Sequence, residues 1–288
     1  GEDGLLSGDT TVVSATGLPT VPRYVAVDDD PDGFVYVGGT SQLYRIPKTG
    51  GAFEDVALAA GLSTDELGYD MIVDGDDIYT VDTENAVYRI SRDAGATWLL
   101  ESYAPFALPD GDEFRRAHLR DGTIFLVTYE TSSSVPTQIW SVGAGLGAPQ
   151  IAAVETNVDG FTTCKGLAAD NSFYYLACGP PTSDALVRVD RETGDLDIIE
   201  NTINYASISI AVEIADPDND GEADALYVQT GGNEAYLICS PQDPGIQFAQ
   251  VFARWGSGTI GLRGMATDPV TGHLWTINTS TRDLVRIE

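Results

Sequence analysis

Apolar and polar positions alternate along this chain in short runs, and the runs return at a near-constant interval. Six segments share one order: apolar residues, an aspartate, a short turn, an aromatic-rich run, a polar loop and a further apolar run. They read "YVAVDDDPDGFVYVGGTSQLYRI", "MIVDGDDIYTVDTENAVYRI", "AHLRDGTIFLVTYETSSSVPTQIWSV", "GLAADNSFYYLACGPPTSDALVRV", "AVEIADPDNDGEADALYVQTGGNEAYLICS" and "GMATDPVTGHLWTINTSTRDLVRI". Their anchoring aspartates are Asp28, Asp74, Asp121, Asp170, Asp216 and Asp268, spaced 46, 47, 49, 46 and 52 residues apart. A repeat of about 40–50 residues built from four short strands is the signature of a propeller blade.

Each unit supplies strand A ahead of its aspartate, then B and C. Strand D follows in "FEDVAL", "TWLLES", "PQIAAV", "LDIIEN" and "QFAQVFAR". The sixth unit reaches Glu288 without a D strand, while "DTTVVSATG" (9–17) is a lone strand with no A, B or C before it. Pairing the two closes the ring and removes an open sheet edge. The pattern therefore predicts an all-β, six-bladed β-propeller as one domain, 1–288, with blades near 22–58, 68–102, 115–154, 164–201, 208–254 and 262–288.

The segments resemble the six-bladed propellers of the NHL, YWTD and lactonase-like group, through "LYRIPKTGG", "VYRISRDAGA", "LVRVDRETGD" and the hairpins before them. The resemblance spans nearly the whole chain and implies a fold, leaving function open. Arg45, Arg89, Arg188 and Arg286 recur near the end of strand C, a repetition that implies a structural role through acidic residues of a neighbouring blade. Cys239 stands at their position in the fifth unit.

That fifth unit also holds "IADPDNDGEADALYV". Asp216, Asp218 and Asp220 alternate, Gly221 marks a sharp turn, Glu222 offers its carbonyl and Asp224 follows. Alternating carboxylates suit a hard cation that demands six to eight oxygens. Tyr227 stands where an EF-hand needs its glutamate, and the flanks read as strands. The loop instead resembles the calcium hairpins of integrin-α FG-GAP repeats, which implies Asp216, Asp218, Asp220 and Asp224 as side-chain ligands and calcium as the ion. Lying between strands A and B, on the face opposite the usual binding face, the ion is expected to clamp the fold. A partial echo at 28–33, "DDDPDG", lacks the last carboxylate.

Cys164 and Cys178 flank "DNS", so a hairpin sets them opposite each other, about 4.5–5.5 Å apart, within reach of a disulfide. A disulfide and a calcium loop point outside the cytoplasm, to a secreted, periplasmic or lipid-anchored protein. Of 288 residues, 15 are basic and 44 acidic, a net charge of −29, which repels nucleic acid and anionic membranes. No apolar run approaches the roughly 18 residues of a membrane span, and "GEDGLLSGDT" lacks the basic and apolar regions of a signal peptide. A monomer is expected.

Five residues ahead of each aspartate stand Arg23, Tyr69, Arg116, Lys165, Ala211 and Arg263, with Arg115 adjacent. Together with Tyr103, Phe106, Phe114, Phe161, Tyr205 and Trp255 they would form a basic, aromatic funnel at the channel mouth. Such a funnel suits an anionic small molecule, a glycan or a protein partner. A lactonase centre is not expected, because the A strands offer only Asp70 and Glu213 as acids. His118 and Glu213 remain weak candidates for an acid–base pair. Three readings follow: a binding module, a hydrolase or lyase in the same funnel, and a structural surface domain.

Overall fold

The computed structural model describes residues 6–14, 18, 23–39, 42–62, 67–68, 70–82, 86–93, 96–105, 108, 112–130, 136–144, 153–161, 163–179, 185–200, 211–229, 234–243, 245, 247, 249–254, 264–278 and 281–288. A lone first strand, β1 (Thr10–Ser14), precedes β2 (Tyr24–Val27), β3 (Phe34–Gly39), β4 (Gln42–Pro47), β5 (Glu54–Asp55) and a short helix, α1 (Val56–Ala60). Then come β6 (Asp70–Asp74), β7 (Asp77–Val81), β8 (Ala86–Arg92) and β9 (Trp98–Pro105), followed by β10 (Asp112–Arg120), β11 (Thr123–Glu130), β12 (Thr137–Gly143) and β13 (Ala153–Val158). Next are β14 (Thr163–Ala169), β15 (Phe173–Gly179), β16 (Ala185–Asp190) and β17 (Leu196–Glu200), and β18 (Ala211–Ala215), β19 (Ala225–Gln229), β20 (Glu234–Cys239) and β21 (Gln250–Arg254). The last are β22 (Met265–Thr267), β23 (Leu274–Asn278) and β24 (Asp283–Ile287).

Strands β2–β5, β6–β9 and β18–β21 each form a four-stranded antiparallel sheet. Strands β10–β17 make an eight-stranded sheet from two consecutive runs, joined by the single pair Tyr129–Thr163. In the remaining sheet β1 pairs with β24, beside β23 and β22. The inner strands pack in a circle: β2 on β6, β6 on β10, β10 on β14, β14 on β18, β18 on β22, and β22 back on β2. Sheets standing radially around a shared axis make a β-propeller.

The apolar core lies between neighbouring sheets. Tyr24, Tyr36, Met71 and Ile78 fill one interface, and Val25, Val35 and Trp275 fill the interface of first and last sheets. Each such side chain, fully buried, contributes roughly 1.5–3 kcal/mol.

Two D strands differ from expectation. "FEDVAL" pairs only at Glu54 and Asp55, because Asp55 caps α1 by accepting the Leu58 N–H and Gly61, at φ +69°, closes it. The strand sought in "PQIAAV", of which 149–152 lie outside the described residues, includes Ala153 and runs on to Val158.

The repeated arginines form their ion pairs within their own sheet, not with acids of a neighbouring one, although Arg188 also donates to the Pro241 and Gln242 carbonyls of the next unit. Arg45 faces Glu54, Arg89 faces Glu101 and Arg188 faces Asp197 across strands C and D. The strand opposite Arg286 offers Thr11, so Arg286 turns to Glu288. Three of the guanidiniums also stack on a strand-B ring: Arg45 on Phe34, Arg188 on Phe173 and Arg286 on Trp275. The place of these arginines in the fifth unit is not Cys239, which pairs with Ala225. Elsewhere each arginine faces Tyr36, Tyr79, Tyr175 or Trp275, and Tyr227 faces Leu237. Cys164 and Cys178 lie opposite each other in β14 and β15, and their sulfurs are bonded.

The seam between first and last sheets carries a buried cation. Lys48 Nζ donates to the Asp28 carbonyl at 2.8 Å and to Asp268 Oδ1 at 3.1 Å. Its pairing is with Asp268, whose carboxyl is lowered by a Val270 N–H bond and by Lys48 against the opposing effect of burial. Asp28 Oδ1 stands off at 3.6 Å without a hydrogen bond, and burial leaves the Asp28 carboxyl raised.

Removing this ammonium strands Asp268. Lys48→Met should cost about 3–5 kcal/mol, the usual penalty for breaking a buried pair, and adding Asp268→Asn should recover part of it. Urea unfolding of both variants checks this. A loss below about 1 kcal/mol, the scale of a surface pair, would mean the seam does not depend on Lys48.

Candidate functional site

A cavity of about 410 Å³ runs along the axis, walled by the six inner strands. An inner strand has a neighbour on one side only, so its other edge presents N–H and C=O groups that need partners. Side chains from the preceding sheet supply several. Asp70 Oδ2 accepts the Ala117 N–H at 2.8 Å, and Glu213 Oε2 accepts the Thr267 N–H at 3.1 Å and its hydroxyl at 3.2 Å. His118 Nε2 lies 3.2 Å from the Ala169 carbonyl, an acceptor that fixes the ring proton on Nε2.

The two weak acid–base candidates therefore both line the cavity, each engaged with the next inner strand. They keep a little accessible surface on the cavity side; protein otherwise surrounds them. Burial pushes the His118 ring down to about 4, so it is neutral at ordinary pH. Burial pushes the Glu213 carboxyl up to about 8, with Asp70's charge adding to it and the Thr267 bonds opposing. Asp70 is likewise raised by burial against the pull of Arg116.

Of the expected basic ring, a corner is assembled. Arg116 lies on the cavity wall. Arg115 pairs with Glu113 at 2.7 Å and stacks over Tyr129 at 4.6 Å, and Lys165 Nζ lies 5.9 Å from the same ring. Arg23 is half-buried ahead of β2 and does not line the cavity. Tyr69 and Arg263 lie outside the described residues, as do Phe106, Tyr205, Trp255 and the Tyr103 side chain. Phe114 and Phe161 are core residues, not part of a binding face. Tyr129, Asp29 and Asp74 were missed. Tyr129 ends a strand B, and the two aspartates belong to turns whose inward tilt carries no mark in the sequence.

On the β18–β19 turn, carboxylate oxygens of Asp216, Asp218 and Asp224 lie within 4.8 Å of one another. Asp220 is not in that group. Its amide donates to Asp216 and Asp218, and its carboxylate accepts the Glu222 N–H at 2.8 Å. The Glu222 side chain accepts from Ser172 and Gln242. Gly221, at φ +93°, turns where a Cβ would collide with Asn171, and its carbonyl accepts from Arg120 at 2.7 Å and from the Asn171 N–H at 3.0 Å. Three successive A–B turns are thus bolted together. Burial raises the Asp224 carboxyl, with Asp218, Asp216 and Asp220 adding to it, as expected of clustered anions. No such group gathers at 28–33 among the described residues, where Asp28 accepts the Phe34 N–H and lies beside Lys48.

No protein-family model and no curated protein matches the chain. Solved structures do. A PQQ-bound aldose sugar dehydrogenase from Streptomyces coelicolor is 14% identical with a TM-score of 0.68, over 99% of each chain. A streptogramin B lyase is 12% identical with a TM-score of 0.59, over 97% of each. A nidogen–laminin complex contains a chain 12% identical with a TM-score of 0.59, over 88% of this chain and 89% of that one. An oxidoreductase, a lyase and a protein complex share the fold, so the likeness is one of fold alone.

Because the Glu213 carboxyl is raised from its ordinary 4.5 to about 8, the folded protein holds that proton more tightly than the unfolded chain. Its stabilising contribution is full at low pH and is lost as pH rises through that window. Relative to the parent, Glu213→Gln should gain stability across the window by up to about 1.4 kcal/mol per pH unit. Urea unfolding at acid, neutral and alkaline pH reads the gap, and a gap independent of pH would contradict the burial argument.

Proposed function

We propose that the protein is a ligand-binding propeller of six blades that works outside the cytoplasm. Its axial cavity takes a small ligand whose anionic group meets Arg116 and the neighbouring Arg115, Lys165 and Tyr129. The observation that carries this reading is a cavity of about 410 Å³ with Arg116 on its wall, next along the chain from Arg115, which shares the Tyr129 ring with Lys165. Pockets for small molecules commonly span about 300–1,000 Å³ with a few convergent polar groups. The disulfide supports the location. Among the described residues no helix is long and apolar enough to cross a membrane.

A hydrolase or lyase in the same channel is the second reading. Glu213, protonated near neutral pH, has the character of a general acid. The base is what it lacks, since the His118 nitrogen that is placed by a hydrogen bond is spent on Ala169. The PQQ of the Streptomyces coelicolor dehydrogenase does not fit this wall. PQQ carries three carboxylates, whereas among the described residues the cavity wall offers one guanidinium, enough for a single anionic group, beside four carboxylates of its own.

Calcium belongs to this proposal as a clamp, held by Asp216, Asp218 and Asp224 with the Glu222 carbonyl, on a turn rather than in the channel. Elemental analysis after chelation and re-equilibration should find one calcium per chain, none in Asp224→Ala, and a weakened but retained ion in Asp220→Ala. Saturation should raise Tm by about 5 °C, the effect of ligand at about a hundred times Kd on a chain of this size. Loss of the ion on removing Asp220 alone would restore that residue as a side-chain ligand.

For the channel, calorimetric titration with glucose 6-phosphate as the anionic probe should show binding that Arg116→Gln weakens about tenfold, the worth of a charge-assisted bond. Binding indifferent to Arg116 would sink the reading.

A further inference from the structure

We propose that the channel ligand carries an amino group besides its anionic group, and that its ammonium lies in the shaft between Glu213 and Asp70 while the anion stays at Arg116. This rests on the ligand reading above and narrows it to an amphoteric, amine-bearing class.

The wall charge points there. Asp29, Asp70, Asp74 and Glu213 line the cavity against one guanidinium, Arg116, and a His118 ring that is neutral. Among the described residues no cation stands within salt-bridge distance of any of these four carboxylates. Asp29 and Asp74 are exposed at the turns, but Asp70 and Glu213 are enclosed, and buried carboxylates destabilise a fold unless paired. The structural duty of Glu213, accepting from Thr267, uses one oxygen and would be met by a neutral amide; among the described residues Oε1 takes no hydrogen bond. Other units do without charge in this row, where Val25, Met71, Leu167 and Met265 stand. An ionisable carboxyl at Glu213 is therefore surplus to holding the wall together, and an ammonium beside it would favour its ionised form.

An ammonium between Glu213 and Asp70 would relieve both their mutual repulsion and their desolvation. It would also let an anion-bearing ligand approach a chain of net charge −29, which otherwise repels it. The cavity volume admits a hexose-sized molecule with both groups.

The test compares glucosamine 6-phosphate with glucose 6-phosphate, which differ in the amino group, by calorimetry on the calcium-equilibrated protein at low ionic strength. The expected result is a preference of about tenfold or more for the amino compound, falling to about twofold or less in the isosteric variants Glu213→Gln and Asp70→Asn. Two variants on different strands guard against a folding defect in either. Equal affinity for the two probes, still dependent on Arg116, overturns the ammonium site and leaves the anion reading standing. A preference that survives both substitutions also overturns it. Absence of binding by either probe at about millimolar concentration overturns both proposals together.

Discussion

Every sheet of this propeller turns one raw edge toward the axis, and the rest of the structure answers to that constraint. A free strand edge in water is a template for pairing with another chain; at an enclosed axis it is a row of costly unpaired groups. The chain handles it by reaching across. Asp70 serves the edge of β10, His118 that of β14 and Glu213 that of β22, each from the strand before. Side chains that do this must be polar and must point along the wall, which makes them look catalytic. Their charge states follow from the same fact, because a group that caps a buried edge is itself buried.

The outer boundary obeys different physics. The arginines of strand C lie over aromatic rings and face carboxylates of strand D that are more than half exposed in Glu101 and Asp197. Such pairs contribute at most about 1 kcal/mol each, so their repetition reflects the need to cover a ring at the blade rim more than a source of stability. The seam at Lys48 is another matter. It is one of two lysines in the chain, it is buried, and it ties Asp28 of the first unit to Asp268 of the last. Pairing of β1 with β24 joins the chain's two ends by backbone bonds, and Lys48 joins the neighbouring units by charge.

The repeat was legible because each unit spends an aspartate and a ring at fixed places, and those needs are local. Asp170 shows why: its carboxylate accepts the Ser172 and Phe173 N–H groups, the Tyr175 hydroxyl and the Ala223 N–H of the next unit. What could not be read was register. A one-residue change in side-chain parity flips every position to the other face of a sheet. In the fifth unit the long loop 216–224 shifts the count by two residues, which keeps the face but moves the pairing, and this is how Cys239 came to be aligned with the arginines in place of Leu237. Phe114 and Phe161 failed for a similar reason, since their rings turn into the core where a loop-based count had them facing solvent. The helix at 56–60 hid behind strand-like letters, because Asp55 can cap as readily as it can pair.

The channel wall and the 216–224 turn place the same acidic residue type under opposite demands. At 216–224 the carboxylates are mostly exposed and converge within a few ångströms, and backbone amides already neutralise part of their charge. A cation arriving there loses little water at once and gains a rigid turn already bolted to Arg120 and Asn171. In the channel Asp70 and Glu213 are enclosed, Asp29 and Asp74 lie exposed at the turns, and the four are spread along the wall, so no single small ion can serve them together. An elongated molecule can. The two arrangements therefore favour different occupants from the same residue type: a hard ion where oxygens converge on a turn, and an extended polar molecule where they line a shaft. On the proposed reading, an ion would therefore serve the shape of the fold and the axial cavity its chemistry.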